Sequence, residues 1–105
     1  MINLRQLQYE VGTWSKNNFP NNTPTLVLLG VGEELGELHH AHLKTEQGIR
    51  GFDDKEKSKA AKEDAIGDIV IYLADYCERS GLSLEESVNN AWNEVKRREW
   101  NKKQN

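Results

Sequence analysis

The chain has 105 residues, of which 36% are hydrophobic and 30% charged, and a formal net charge of −3 at pH 7. This length fits one domain, residues 1–105, and the modest apolar content predicts a protein that gains stability as a homo-oligomer. A net negative chain is poorly suited to hold nucleic-acid polymers, because those are gripped through their phosphates by basic surfaces.

The N-terminal sequence lacks the charged-then-apolar pattern of a secretion signal, and no apolar run approaches the roughly 20 residues that span a bilayer. We therefore expect a cytoplasmic protein with no membrane partner. The single cysteine, Cys77, lies in an apolar stretch. With no second cysteine for a disulfide, it is interpreted as a small core residue.

Apolar residues recur at helical spacing in four blocks, and no segment alternates with the period of a strand. The sequence therefore predicts an all-α, four-helix bundle-like domain. The first helix should cover about residues 4–17, and the polar, proline-containing segment 17–24 should form a loop. Four residues form the apolar face of this helix, namely Leu4, Leu7, Val11 and Trp14.

The second helix should begin after Thr23, a suitable N-cap, with Pro24 at its first position, where the missing amide proton has no cost. We expect it to run to about Thr45. Residues 46–54 contain two glycines and two aspartates and predict a loop longer than the usual helix connection. A stripe of apolar residues should pack this helix against the rest of the protein, namely Leu28, Val31, Leu35 and Leu38.

The third helix can be capped by Asp53 or Asp54 and should end near Arg79, before a glycine at position 81. Residues 83–86, Ser-Leu-Glu-Glu, form a capping box that opens the fourth helix. This last helix should end near Trp100.

Acidic residues on the second helix lie beside its apolar stripe. Glu34 and Glu37 share a row with Gly30 and Ala41, and these small residues should leave space for a ligand. Glu33 points further towards solvent and could hydrogen-bond a water. The same spacing also occurs on ordinary solvated helix faces, so the second helix alone does not decide between the two interpretations.

Residues 65–74 of the third helix are apolar on nearly every side and carry a single charge, Asp68. The pattern predicts a buried helix, in which a carboxylate is costly unless it is paired or binds a metal. Asp64, one turn earlier, would place a second carboxylate beside it. If Glu34 and Glu37 face them, four oxygen ligands would suit Mg²⁺ or Mn²⁺.

Other interpretations of these residues stay open at this point. The acids could form structural pairs with Lys59 or Lys62. The three histidines lack a cysteine partner or a zinc-binding helix motif, and we interpret them as surface or packing residues.

Two acidic strings together carry a family resemblance. EELGEL at residues 33–38, followed by DAIGDIVIYL at residues 64–73, resembles the MazG-like family of all-α nucleotide pyrophosphohydrolases. The resemblance implies a magnesium-dependent enzyme that cleaves a nucleoside triphosphate between its α and β phosphates, yielding a monophosphate and pyrophosphate. The homo-oligomer that the composition predicts would be a dimer or a tetramer, and the sequence does not choose between them.

The family pattern is E-x-x-E on one helix and E-x-x-D on the next, all four acids binding magnesium. Glu34, Glu37 and Asp68 match it by position. Ala65 stands where the family has glutamate, and Asp64 looks like the substitute, with the preceding Glu63 less favoured. The resemblance thus implies the magnesium ligands Glu34, Glu37, Asp64 and Asp68.

The resemblance also implies residues that contact substrate. Trp14 and Tyr72 would form the base pocket, although core packing explains a tryptophan on an apolar stripe equally well. Glu33 would orient or deprotonate the attacking water. Three basic residues would contact phosphates, or alternatively only complement a helix C-terminus; they are Lys96, Arg97 and Arg98.

A non-catalytic function is the alternative prediction. A helical interaction module whose acids form a partner-binding surface would explain Ala65 as the mark of a degenerate metal site.

Overall fold

The structure, a computed structural model, describes residues 1–100. This part of the chain contains four helices and no strand, which confirms the all-α prediction. Residues 101–105 of the predicted domain lie outside the described residues. Among those described, no helix has both the length and the apolar character needed to cross a membrane. The helices are α1 (Leu4–Asn18), α2 (Pro24–Gln47), α3 (Lys55–Ser80) and α4 (Leu84–Val95).

Local side chains set most of the helix ends. Thr23, Asp54 and Ser83 each accept a hydrogen bond from an amide in the first turn of the helix that follows, an amide that the helix itself cannot pair. The cap of α3 is therefore Asp54 and not Asp53. Gly48 and Gly81 end α2 and α3 with φ of 67° and 69°, the left-handed conformation that glycine adopts without strain.

The end of α4 differs from the prediction. The helix stops at Val95 and not near Trp100. Trp100 is 82% exposed, so no packing supports a further turn, and helices of this length depend on tertiary contacts for their stability.

The centre of the molecule is α3. Along its sides lie α2 and α1, and α4 packs on α1 and α3. The pairing of α2 with α3 is antiparallel, because Gly30 meets Tyr72 near one end and Thr45 hydrogen-bonds Ser58 near the other. Within residues 1–100, α2 contacts no helix other than α3.

A single chain does not close a helical bundle. Its radius of gyration is 17.3 Å, whereas a compact domain of this length has a value of about 13 Å. The main core lies where α1, α3 and α4 meet, and Cys77 is one of its buried residues, as the sequence predicted. The apolar side chains that surround this core are Leu4, Leu7, Val11, Val70 and Leu73.

The predicted apolar stripe of α2 is covered only in part. Leu28 and Leu35 are 48% and 43% exposed, whereas Val27 and Ala41 are buried. Val31 and Leu38 are half-buried, so the expectation that this stripe packs within the chain is wrong for Leu28 and Leu35. In residues 1–100, α3 is the helix that contacts α2, and it packs against the neighbouring row of side chains, which also contains Glu34.

Candidate functional site

Glu34 is the acid of α2 that turns towards α3. Its side chain is half-buried, and Oε2 is sealed from solvent without a hydrogen-bond partner in the described residues. Burial raises the pKa of Glu34 above its ordinary value of 4.5. The charges of Glu37 and Asp68, a side-chain hydrogen bond with Glu37 and the charge of Asp64 raise it further. An oxygen in this environment is costly until a proton or a cation reaches it.

The four predicted metal ligands gather along the α2–α3 pair. Glu37 and Asp64 are exposed and border a cavity of about 370 Å³, while half-buried Asp68 and Glu34 border another of about 410 Å³. No three His, Cys, Asp or Glu side chains in residues 1–100 are arranged to bind one metal ion together. The structure therefore brings the acids within electrostatic reach of Glu34 but does not set them in a ligand sphere.

Asp68 is less buried than the sequence predicts. It is half-buried, and Ile66 and Ile71 on the same helix are 52% and 40% exposed. The expectation that this part of α3 is buried on every side is wrong, because α1 and α2 leave part of its surface uncovered. The buried carboxylate of α3 is instead Asp75, which is 8% exposed.

Asp75 belongs to a buried polar network that the sequence analysis missed. Its Oδ1 accepts a hydrogen bond from Arg79 Nε at 2.9 Å, and its Oδ2 accepts one from the Ser15 hydroxyl at 2.6 Å. Arg79 Nη2 also donates to Ser15 Oγ at 2.9 Å. The spacing of four between Asp75 and Arg79 was a usable signal for this ion pair. Nothing in the sequence links them to Ser15, which lies on another helix.

Trp14 and Tyr72, the two predicted pocket aromatics, line the cavity of about 410 Å³ together with Glu34 and Asp68. Its volume falls within the range of small-molecule sites. Phe19 adds a third aromatic wall and meets the Trp14 ring edge-on, with 5.7 Å between ring centroids. Since Trp14 is 57% exposed, core packing does not explain it.

Tyr72 fills space that the sequence analysis assigned to a ligand. A Cβ at Gly30 would overlap the Tyr72 ring, so the expectation of an empty niche there is wrong. Burial raises the pKa of Tyr72 above 10.0, and the nearby charges of Glu34 and Glu33 add to the effect. The hydroxyl therefore stays protonated at neutral pH. Glu33 is exposed and near enough to Tyr72 for its charge to act on the hydroxyl.

The predicted basic cluster lies apart from this cavity. Lys96, Arg97 and Arg98 are exposed residues beyond the last residue of α4 and are not part of the cavity lining. Neither of the two cavities that the acids border is lined by any of these three residues, so the structure does not bring this cluster to the acids within one chain.

Structural ion pairing does not account for the acidic group. Within the described residues, neither Lys59 nor Lys62 forms an ion pair with it. The three histidines are exposed, in agreement with their interpretation as surface or packing residues.

Comparisons of the chain with protein-family models, curated proteins and solved structures find no match.

Proposed function

We propose that this protein is a cytoplasmic, Mg²⁺-dependent nucleoside triphosphate pyrophosphohydrolase of the MazG-like type, converting a (d)NTP to a (d)NMP and pyrophosphate. The observation that carries the proposal is the shielded, unpartnered Oε2 of Glu34, which lies among other acids and beside an aromatic cavity. A nucleotide has two matching parts, an aromatic base and a polyanionic chain that needs cations.

The chemistry of the donor set fits magnesium. Glu34, Glu37, Asp64 and Asp68 offer the carboxylate oxygens that Mg²⁺ prefers, and Mn²⁺ accepts the same ligands. Exposed Glu37 and Asp64 have room to turn towards Glu34. Ala65 is buried and has no ligating atom, so Asp64 takes the place of the missing acid.

The reaction breaks the phosphoanhydride bond between the α and β phosphates, with water as the nucleophile and pyrophosphate as the leaving group. When bound, magnesium supplies positive charge to the triphosphate and activates water for attack. Trp14 and Tyr72 hold the base by ring contacts in the cavity. Exposed Glu33 accepts a proton from the water, and no covalent nucleophile is required.

Oligomerisation is part of the proposal. Leu28 and Leu35 are exposed on a helix with one helical neighbour in the described chain, and covering them with a second copy would remove apolar surface from water. Light scattering at micromolar concentration should report a dimer or a tetramer. A monomer would contradict this part of the proposal alone.

The activity is tested by measuring pyrophosphate release from a panel of ribo- and deoxyribonucleoside triphosphates, first with Mg²⁺ and then with a chelator. We expect release that needs the metal and that is lost in Glu34→Gln and Asp68→Asn. Glu33→Gln should slow turnover and spare magnesium affinity, which titration calorimetry measures separately. Glu46→Gln is the matched control, since it changes an exposed acid on the same helix outside the cavity.

The alternative, a non-catalytic interaction module with a degenerate metal site, is favoured by Ala65 and by the lack of a three-residue ligand arrangement in residues 1–100. It predicts a folded protein that neither takes up magnesium in calorimetry nor releases pyrophosphate from any triphosphate of the panel.

A further inference from the structure

Arg79, near the end of α3, binds the turn between α1 and α2 through that turn's backbone. Its Nη1 donates to the Asn22 carbonyl at 2.7 Å, and its Nη2 donates to the Phe19 carbonyl at 3.0 Å. The same guanidinium is held by Asp75 and Ser15, and its side chain is only 8% exposed. One side chain thus joins α3, α1 and the turn.

Arg79 links this turn to α3, whereas the turn's own backbone hydrogen bonds are local. Within residues 1–100, α1 and α2 do not contact each other. A hydrogen bond from the Asn22 amide to the Phe19 carbonyl closes the turn on itself at 3.1 Å. Arg79 therefore fixes the position of this closed unit relative to α3.

The anchored turn contributes a wall of the candidate nucleotide cavity. Both residues whose carbonyls bind Arg79, Phe19 and Asn22, line the cavity, as do Ser15 and Asp75 from the network itself. Arg79 is not part of the cavity lining, so any effect on a ligand acts through the residues that it holds.

The four hydrogen bonds at this position require the planar guanidinium group of arginine. A guanidinium offers five N–H donors in fixed directions, and four contacts are made here along directions that a single ammonium cannot reproduce. Lysine would keep the positive charge beside Asp75 but could not hold both carbonyls and the serine together.

We propose that Arg79 is a positioning residue, which holds the α1–α2 turn so that Phe19 and Asn22 contact the base end of the nucleotide. This inference rests on the proposed function. Glu34 and Asp68 belong to α2 and α3, whose packing does not involve the turn. Loss of the Arg79 guanidinium therefore weakens substrate binding and leaves the chemical step unchanged.

The test compares Arg79→Lys with Arg5→Lys, a matched control in which an exposed arginine pairs with Glu85 far from the cavity. Pyrophosphate release is measured below the melting temperature of each variant, with the triphosphate that the wild type hydrolyses best. For Arg79→Lys we expect KM to rise about tenfold and kcat to stay within about twofold. Magnesium affinity should not change. Arg5→Lys should match the wild type.

If Arg79→Lys impairs folding, a second variant and a fluorescence measurement still test the proposal. Ser15→Ala removes the hydroxyl that lies between Arg79 and Asp75 without adding volume, and a smaller rise in KM is expected. Trp14 reports on the turn through its ring contact with Phe19. In a W92F/W100F background, acrylamide should quench its fluorescence more strongly in both variants.

The outcomes separate the two proposals. A wild type that releases no pyrophosphate with Mg²⁺ overturns both. An active wild type, with unchanged KM and unchanged Trp14 quenching in Arg79→Lys and Ser15→Ala, overturns the positioning role alone. A fall in kcat without a rise in KM also overturns it, because the residue would then act on the chemical step.

Discussion

Two shielded carboxylates line the same cavity and have opposite surroundings. Asp75 has both oxygens bound, one by the Arg79 guanidinium and one by the Ser15 hydroxyl. Glu34 keeps Oε2 without a partner in the described residues, and its charged neighbours are other acids. Within residues 1–100, the first carboxylate has a cation beside it, whereas the charged groups around the second are acids.

The difference separates a structural acid from a candidate site. Burying a carboxylate is costly unless a cation or hydrogen-bond donors compensate. For Asp75 the compensation is internal and fixes the α1–α2 turn, so nothing further has to bind. For Glu34 no cation in residues 1–100 supplies it, so a proton or a bound cation has to. The buried ion pair of Asp75 with Arg79 therefore marks the architecture, and the acid without a compensating cation in residues 1–100 marks the candidate chemistry.

The largest expected effect on stability comes from removing the cation that pairs with Asp75. Arg79→Met leaves the charge of Asp75 buried and two carbonyls unpaired, so the free energy of unfolding should fall by about 3–5 kcal/mol. Arg5→Met removes an exposed pair with Glu85, whose side chains are 81% and 37% exposed, and should cost less than about 1 kcal/mol. Urea unfolding measures both. Equal losses would show that the Asp75 network does not stabilise the fold.

A smaller effect is expected where Tyr72 packs beside Glu34. In Gly30→Ala the new methyl would overlap the Tyr72 ring, and overpacking of this kind costs about 1–3 kcal/mol. Gly36→Ala on the same helix meets nothing within 4 Å and should stabilise by about 0.5–1 kcal/mol through helix propensity. Thermal melting of the two variants measures both changes in stability. If both variants gain stability, Tyr72 does not occupy the space beside Gly30.

Removing the charge of Glu34 tests the carboxylate that has no cation beside it in residues 1–100. Because burial and neighbouring acids raise the pKa of Glu34 above 4.5, the folded state binds this proton more tightly than the unfolded chain. The stability gained from that proton is fully present below pH 4.5 and is lost as the pH rises through the raised pKa.

Glu34→Gln should remove this pH-dependent loss. Without metal at neutral pH, the variant should be more stable than the wild type by roughly 1 kcal/mol, since like-charge repulsion is relieved. Unfolding measured at a series of pH values in the presence of a chelator gives both curves. A wild-type curve that matches the variant across acidic and neutral pH would contradict the raised pKa.

The smallest effect is expected at the basic cluster beyond α4. Replacing Lys96, Arg97 and Arg98 together by glutamine changes exposed residues outside the cavity, so KM for the triphosphate should stay within about twofold and stability should hardly change. Steady-state kinetics of the triple variant checks this. A large, salt-sensitive rise in KM would mean that the end of α4 reaches the substrate.

Much of the secondary structure could be predicted from the sequence, because the signals involved act over a few residues. Thr23 and Ser83 cap their helices with their own side chains, and Gly81 ends α3 by a backbone conformation that suits glycine. The spacings within Glu34–Glu37 and Asp64–Asp68 place each pair on one side of a helix, whatever the helix packs against. The sequence by itself therefore determined the four helices and the acids that they carry.

Only the tertiary structure decided which faces meet. Two neighbouring rows of α2 are both apolar enough to pack, and α3 takes the row with Val27 and Glu34, which leaves Leu28 outside. Periodicity does not choose between such rows, because the choice depends on how whole helices fit together, as when Tyr72 fills the space at Gly30. The contacts of Arg79 with the α1–α2 turn join residues 57 and 60 positions apart in the sequence and exist only once α1 and α3 have packed.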